Sequence, residues 1–287
     1  MKKIHLFMGS IFIFLIIISC QTVVLDDADM VSWDNHYREK SRVGDKGPGT
    51  LVIGSGSSDV RVASLIYSPE NTTVRVADIY YPRAMDLHEA RGAVIMVSGD
   101  TDNHAKDYYG RTLKDTDQYM QWGQVIAEEG LIAVTYELGN PQAALETLMT
   151  WIVENQKYLG IDTQKIGFFS SNENGCSVGL ETIVKDSTKY TGPKPVFSIY
   201  YYGLMPLRSK EVFTDIPILT VQTKDLWGRG LPASMEEFNQ SAIADGAMIK
   251  ALYYPEGEHY FDCREDTPRT REILQETVLF MKDNMEH

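Results

Sequence analysis

Cysteine is scarce in this chain: Cys20, Cys176 and Cys263 are the only three among 287 residues. Three are too few for a disulfide scaffold, and none belongs to a closely spaced pair of the kind that binds zinc or an iron cluster. A metal centre is therefore not expected. Excess basic charge is also missing. Lys and Arg number 27 against 40 Asp and Glu, a formal charge of −13, which excludes nucleic acid and anionic lipid surfaces as natural partners. The chain has no internal repeat and no low-complexity segment, which rules out solenoids and extended disordered tracts. Long apolar runs are absent too, apart from one at the N-terminus.

That run, residues 6–18, follows Lys2 and Lys3 and is too short to span a bilayer comfortably. A positive start followed by such a stretch is the pattern of an export signal. It ends in Ile17-Ile-Ser-Cys20, which resembles the lipobox of bacterial lipoproteins. The resemblance implies cleavage after residue 19, lipidation of Cys20 and a place in the cell envelope, anchored to a membrane and facing outside the cytoplasm. The plainer reading is an uncleaved anchor helix with a chance cysteine, and it leaves the rest of the chain on the same side. Removing residues 1–19 leaves 268, and losing Lys2 and Lys3 takes the charge from −13 to −15. Residues 20–50 are polar, with Asp26, Asp27, Asp29, Gly44, Gly47, Pro48 and Gly49, and read as a tether. Residues 51–287 are long enough for one large domain with a well-buried core.

Two kinds of segment alternate from there on. Residues 61–67 and 73–81 read as an opening pair of strands, and 93–97 as a short, wholly apolar central strand. Further strands are expected at 131–136, 165–170, 195–202, 216–223 and 248–254. Helical periodicity marks 119–129, 141–159, 176–184 and 270–284. Strands alternating with helices imply an α/β fold, with a mostly parallel central sheet of about eight strands and helices on both faces. Residues 101–118 and 226–237 match no pattern and read as loops.

Ligands of an open α/β sheet bind outside the carboxyl ends of the strands, so the residues just past each strand are the ones to inspect. Lys165-Ile-Gly-Phe-Phe-Ser-Ser-Asn-Glu-Asn-Gly175 reads as a buried strand, a tight turn and a helix. A nucleophile elbow is built this way, holding one side chain on a strained turn above the sheet. Asp225 ends a second strand, and His259 follows a third in Gly257-Glu-His-Tyr-Phe-Asp262. The order elbow, acid, histidine is that of a hydrolytic triad, in which the acid orients the histidine and the histidine takes the nucleophile's proton.

With Val97-Ser-Gly-Asp100, Tyr119-Met-Gln-Trp122, Ala127-Glu-Glu-Gly-Leu-Ile-Ala-Val-Thr-Tyr136 and Asp266-Thr-Pro-Arg-Thr-Arg-Glu272, these segments resemble an α/β-hydrolase of the dienelactone-hydrolase-like branch, from about residue 76 to the C-terminus. The resemblance implies hydrolysis of carboxylic esters, lactones or related acyl bonds without a cofactor. It makes His259 the base, Asp225 the orienting acid, and the amides near Gly99 and of Glu173 the oxyanion hole. The departure lies at the nucleophile. The small-x-Ser-x-Gly pattern falls on Ser170, Ser171, Asn172, Glu173 and Asn174, with Gly175 following, so Asn172 stands in the serine slot.

An amide has no readily removable proton and no useful nucleophilic oxygen, which leaves three readings. In the first, the fold is retained as a pocket for an ester- or carboxylate-like ligand or for a partner. Alternatively, the turn is shifted by one residue and Ser171 attacks. In the third, His259 activates water and Asn172 only donates a hydrogen bond. Cys176 reads as a core thiol, with Cys263 its one possible disulfide partner in the exported part. Tyr200, Tyr201 and Tyr202 read as core and sheet surface, and Tyr108 and Tyr109 beside His104 as lining a pocket mouth.

Overall fold

The computed structural model describes residues 60–68, 74–86, 88–185, 187–205, 212–224 and 230–286. The signal, the tether, Cys20, Asp225 and the side chain of Tyr108 lie outside the described residues.

Eight strands form one sheet: β1 (Val60–Ser68), β2 (Arg75–Pro82), β3 (Arg91–Val97), β4 (Ile132–Tyr136), β5 (Ile161–Ser171), β6 (Phe197–Tyr201), β7 (Ile218–Thr223) and β8 (Ile249–Tyr254). Their spatial order is β1-β2-β4-β3-β5-β6-β7-β8. β1 and β2 are antiparallel, and β2 is antiparallel to β4, while all pairs from β4 to β8 are parallel. The parallel strands are almost continuously apolar because both of their faces are covered. β3 and β4 are buried along nearly their whole length.

Seven helices are described: α1 (Asp102–Tyr109), α2 (Asp117–Glu128), α3 (Pro141–Leu159), α4 (Asn172–Leu180), α5 (Leu231–Ala244), α6 (Phe261–Arg264) and α7 (Pro268–Met285). Alternation along β6 shows how they flank the sheet. Ile199 and Tyr201 join a core with Trp122 of α2 and Ile273 of α7, whereas Tyr200 joins a second core with Met235 and Phe238 of α5. α3 begins with Pro141 in its first turn and Asn140 Oδ1 accepting from the Ala143 N–H at 3.1 Å, and it ends at left-handed Gly160.

Two helices fall where loops were expected, α1 within 101–118 and α5 across the end of 226–237. α1 is short and polar, and its start and stop are set by Thr101, whose side chain accepts from the His104 N–H, and left-handed Gly110. The helix after the expected elbow starts at Asn172 rather than 176 and ends at Leu180, followed by a 3-10 turn over Glu181–Ile183. Its early start follows from a local cap described next.

Candidate functional site at the end of the sheet

β5 passes into α4 with no intervening loop, and the reversal is made at one residue. Asn172 has φ 58°, in the left-handed region. Asn is among the few residues that enter this region readily, because its short polar side chain can bond to nearby backbone. Here Asn172 Oδ1 accepts from the Gly175 N–H at 3.3 Å, satisfying one of the orphan donors of the helix's first turn. Asn172 is therefore the apex of the turn and also the cap of its own helix. Ser171 precedes it in extended backbone (φ −128°, ψ 160°), buried at the end of β5.

Two loops press on this first turn. A Cβ added at Gly99 would stand 1.9 Å from the Asn174 carbonyl carbon, and one at Gly203 would stand 2.6 Å from the Asn172 oxygen. Neither position has room for a side chain. Gly99 thus holds the segment after β3 against α4 at the place expected for an oxyanion-hole amide, and Glu173 sits half-buried in the helix's first turn. The bulk that would separate these loops is missing in the sequence itself, as glycine.

His259 lies in the loop after β8. The segments before Asp225 and around His259 are tied together, because the Lys224 N–H donates to Gly257 O at 3.0 Å and the Gly257 N–H to Tyr254 O at 3.0 Å. β5, β6, β7 and β8 are successive parallel neighbours, so the elbow, the residue after β6 and the His259 loop share one edge of the sheet. The His259 ring is buried between two tyrosines, with its centroid 4.4 Å from that of Tyr202 and 4.5 Å from that of Tyr260.

Beneath this loop lies a buried carboxylate that sequence reading missed. Asp262 Oδ2 accepts from Gln118 Nε2 at 2.9 Å and Trp122 Nε1 at 2.8 Å, and Oδ1 accepts from the Tyr202 hydroxyl at 2.8 Å. Gln118 also bonds to the Tyr202 hydroxyl. Burial pushes the Asp262 carboxyl up, while the three donors pull it back down. Gln118 and Trp122 are four residues apart, hence on one face of α2. That spacing was the one available signal, and it also reads as core.

Tyr119 lies beside Ser98 and Ser171; burial pushes its hydroxyl up to about 12, and these two serines oppose the shift. Its hydroxyl is buried without a hydrogen bond of good geometry. At the surface, His104 Nδ1 and Asp100 Oδ2 are 2.5 Å apart, joining α1 to the loop that carries Gly99. Tyr109 is exposed at the end of α1 and acts on Tyr260, whose hydroxyl is raised chiefly by burial. Cys176 and Cys263 are both free and buried, and burial pushes both thiols far up. Tyr200, Tyr201 and Tyr202 are all buried. Among the described residues no group of three or more His, Cys, Asp or Glu is placed to hold a metal ion, and no helix is long and apolar enough to cross a membrane.

Chemically, the edge presents a histidine held between aromatic rings, a close-packed glycine loop and a helix N-terminus. An amide stands at the apex where a nucleophile would be needed for an acyl-enzyme.

No protein-family model and no curated protein sequence matches the chain. Solved structures do. A bacterial heroin esterase superimposes with a TM-score of 0.61 at 10% identity, over 90% of this chain and 91% of its own. Fungal esterases from Rhizomucor miehei give a TM-score of 0.61 at 11% identity, over 92% of each chain. A thermophilic esterase from the planctomycete Thermogutta terrifontis gives 0.55 at 12% identity, over 77% of this chain and 90% of its own. At such identities the likeness is one of architecture, and function has to be argued from the site. Together with the strand order, it establishes that this chain has the α/β-hydrolase fold.

Proposed function

We propose that this domain binds an ester- or carboxylate-like small molecule at the sheet edge beside Asn172 and does not process it through an acyl-enzyme. One observation carries the reading: the left-handed apex of the elbow is an asparagine whose side chain is engaged with the Gly175 N–H. The oxyanion-type surroundings near Gly99 and Glu173 suit a carbonyl or carboxylate oxygen, since a helix N-terminus favours negative charge. The resemblance that makes His259 the base and Asp225 its orienting acid supports a site that lacks only its nucleophile.

A second reading, hydrolysis of a carboxylic ester or lactone by Ser171 with His259 as base and Asp225 as orienting acid, draws on the position of Ser171 one residue before the apex and beside Tyr119. The resemblance to dienelactone-type hydrolases supports it. Both readings go with a lipid-anchored position in the cell envelope, which the pattern of Lys2, Lys3 and Cys20 supports.

A nitrophenyl-ester assay of the mature chain from Cys20 onward decides between them. The binding reading expects no nitrophenolate release by the wild type and release by Asn172→Ser, abolished again by adding His259→Ala. Turnover by the wild type that is lost in both Ser171→Ala and His259→Ala would instead establish the esterase.

A further inference from the structure

Among the described residues three that are not glycine have left-handed backbone, namely Asn172 (φ 58°), Tyr202 (φ 38°) and Tyr260 (φ 64°). All three lie at the edge of the sheet that carries the candidate site. Tyrosine gains little from this region, and such a residue persists only where its surroundings hold it there. The two tyrosines are the two rings that enclose His259. Tyr202 directly follows β6, and Tyr260 directly follows His259 and caps α6.

Asp262 anchors the first of them, through the Tyr202 hydroxyl. It is buried and accepts from the Gln118 amide NH2, the Trp122 indole N–H and the Tyr202 hydroxyl. These donors come from α2 and from the end of β6, so the carboxylate joins two remote elements to the His259 loop. The chain from His259 to Asp262, the bond from Asp262 to the Tyr202 hydroxyl and the contact of the Tyr202 ring with His259 form a closed circuit.

We infer that Asp262 is a positioning residue for His259, acting through the hydroxyl and ring of Tyr202. The inference rests on the reading that this edge is the functional site, but it concerns only how the imidazole is held and can fail independently of binding or turnover. An amide at position 262 has the right shape but one oxygen in place of two: with that oxygen on Gln118 and Trp122, its NH2 faces the Tyr202 hydroxyl, which must then turn from donating to accepting. Among the described residues the ionisable groups around the imidazole are Tyr202 and Tyr260, with Asp262 and Cys263 behind them, Tyr109 beyond Tyr260, and Asp117 and Arg264 near Cys263; Gln118 and Trp122 from α2 are uncharged, and Asp225, the acid of the proposed site, lies outside the described residues.

The test is carbethoxylation of the full-length chain by diethyl pyrocarbonate across a pH series, with His259 followed by peptide mass spectrometry and exposed His88 and His104 as internal controls. Tyr202→Phe and Asp262→Asn are each expected to raise the His259 rate about tenfold, the weight of one hydrogen bond to a charged group, with the control rates unchanged. Asp262→Asn also lowers the pH midpoint of that rate, because a negative charge favouring the imidazolium is gone. A His259 rate within about twofold of wild type in Tyr202→Phe, or an unmoved midpoint in Asp262→Asn, overturns the inference. Should Asp262→Asn fail to fold, Trp122→Phe removes one donor and keeps a ring, and an unchanged His259 rate in that variant overturns it equally.

Discussion

Replacing Asn172 tests whether the apex is held by its own side chain. Alanine at a left-handed position costs about 1–2 kcal/mol from the clash of its Cβ with the following carbonyl. It also removes the cap on the Gly175 N–H, for which loss of an Asn typically costs about 1 kcal/mol. Asn172→Ala should therefore destabilise the domain by about 2–3 kcal/mol. Glycine meets no such clash and leaves a helix start only a few tenths of a kcal/mol worse, with a further cost of about 0.5 kcal/mol from the looser unfolded chain. For a domain of this size 1 kcal/mol moves Tm by about 2–4 °C, so alanine should lower Tm by about 5–10 °C and glycine by about 2–4 °C. Calorimetry or urea unfolding of the two variants side by side measures the gap. If alanine proves as stable as glycine, residue 172 is not a left-handed apex and the reading of the elbow collapses.

Two further outcomes follow from the buried charges. Lys114, in the 3-10 turn Leu113–Asp115, reaches Asp78 at 2.8 Å and Asp115 at 3.1 Å while Asp78 is fully buried, so Lys114→Met leaves an uncompensated charge and should cost about 3–5 kcal/mol in urea unfolding; a loss under about 1 kcal/mol would mean that the pair is solvated. Asp102, which accepts from the Leu138 and Leu113 N–H groups, has its carboxyl raised by burial, so the folded state holds its proton more readily than the unfolded chain. The stability this group contributes is complete below the ordinary carboxylate range and lost as pH rises through the raised value. The stability gap between wild type and Asp102→Asn should therefore widen from pH 7 to about pH 4.5, and a gap independent of pH contradicts the shift.

The strands were legible because a buried parallel sheet needs continuous apolar runs, and 93–97 and 131–136 supply them. α3 was legible from end to end because Pro141 opens it and Gly160 closes it. α1 escaped notice because eight mostly polar residues carry no strong period. The elbow was placed by counting from its strand, yet the early start of α4 was not, since it depends on Asn172 folding back on Gly175. Asp262 was missed for a deeper reason: its donors lie 60, 140 and 144 residues away in sequence, so no local pattern announces them. Left-handed tyrosines at 202 and 260 are likewise set by tertiary contacts against the preference of the residue itself.

The self-capped turn at Asn172 also bears on how such a protein can change. Because the apex is secured by a bond inside its own helix, folding does not depend on any reactive group standing there. Asparagine and serine are a single nucleotide apart in the genetic code, so one point mutation carries this fold between an inert apex and a nucleophilic one. A lineage can therefore keep the fold and its turn unchanged while the group at the apex is exchanged in a single mutational step.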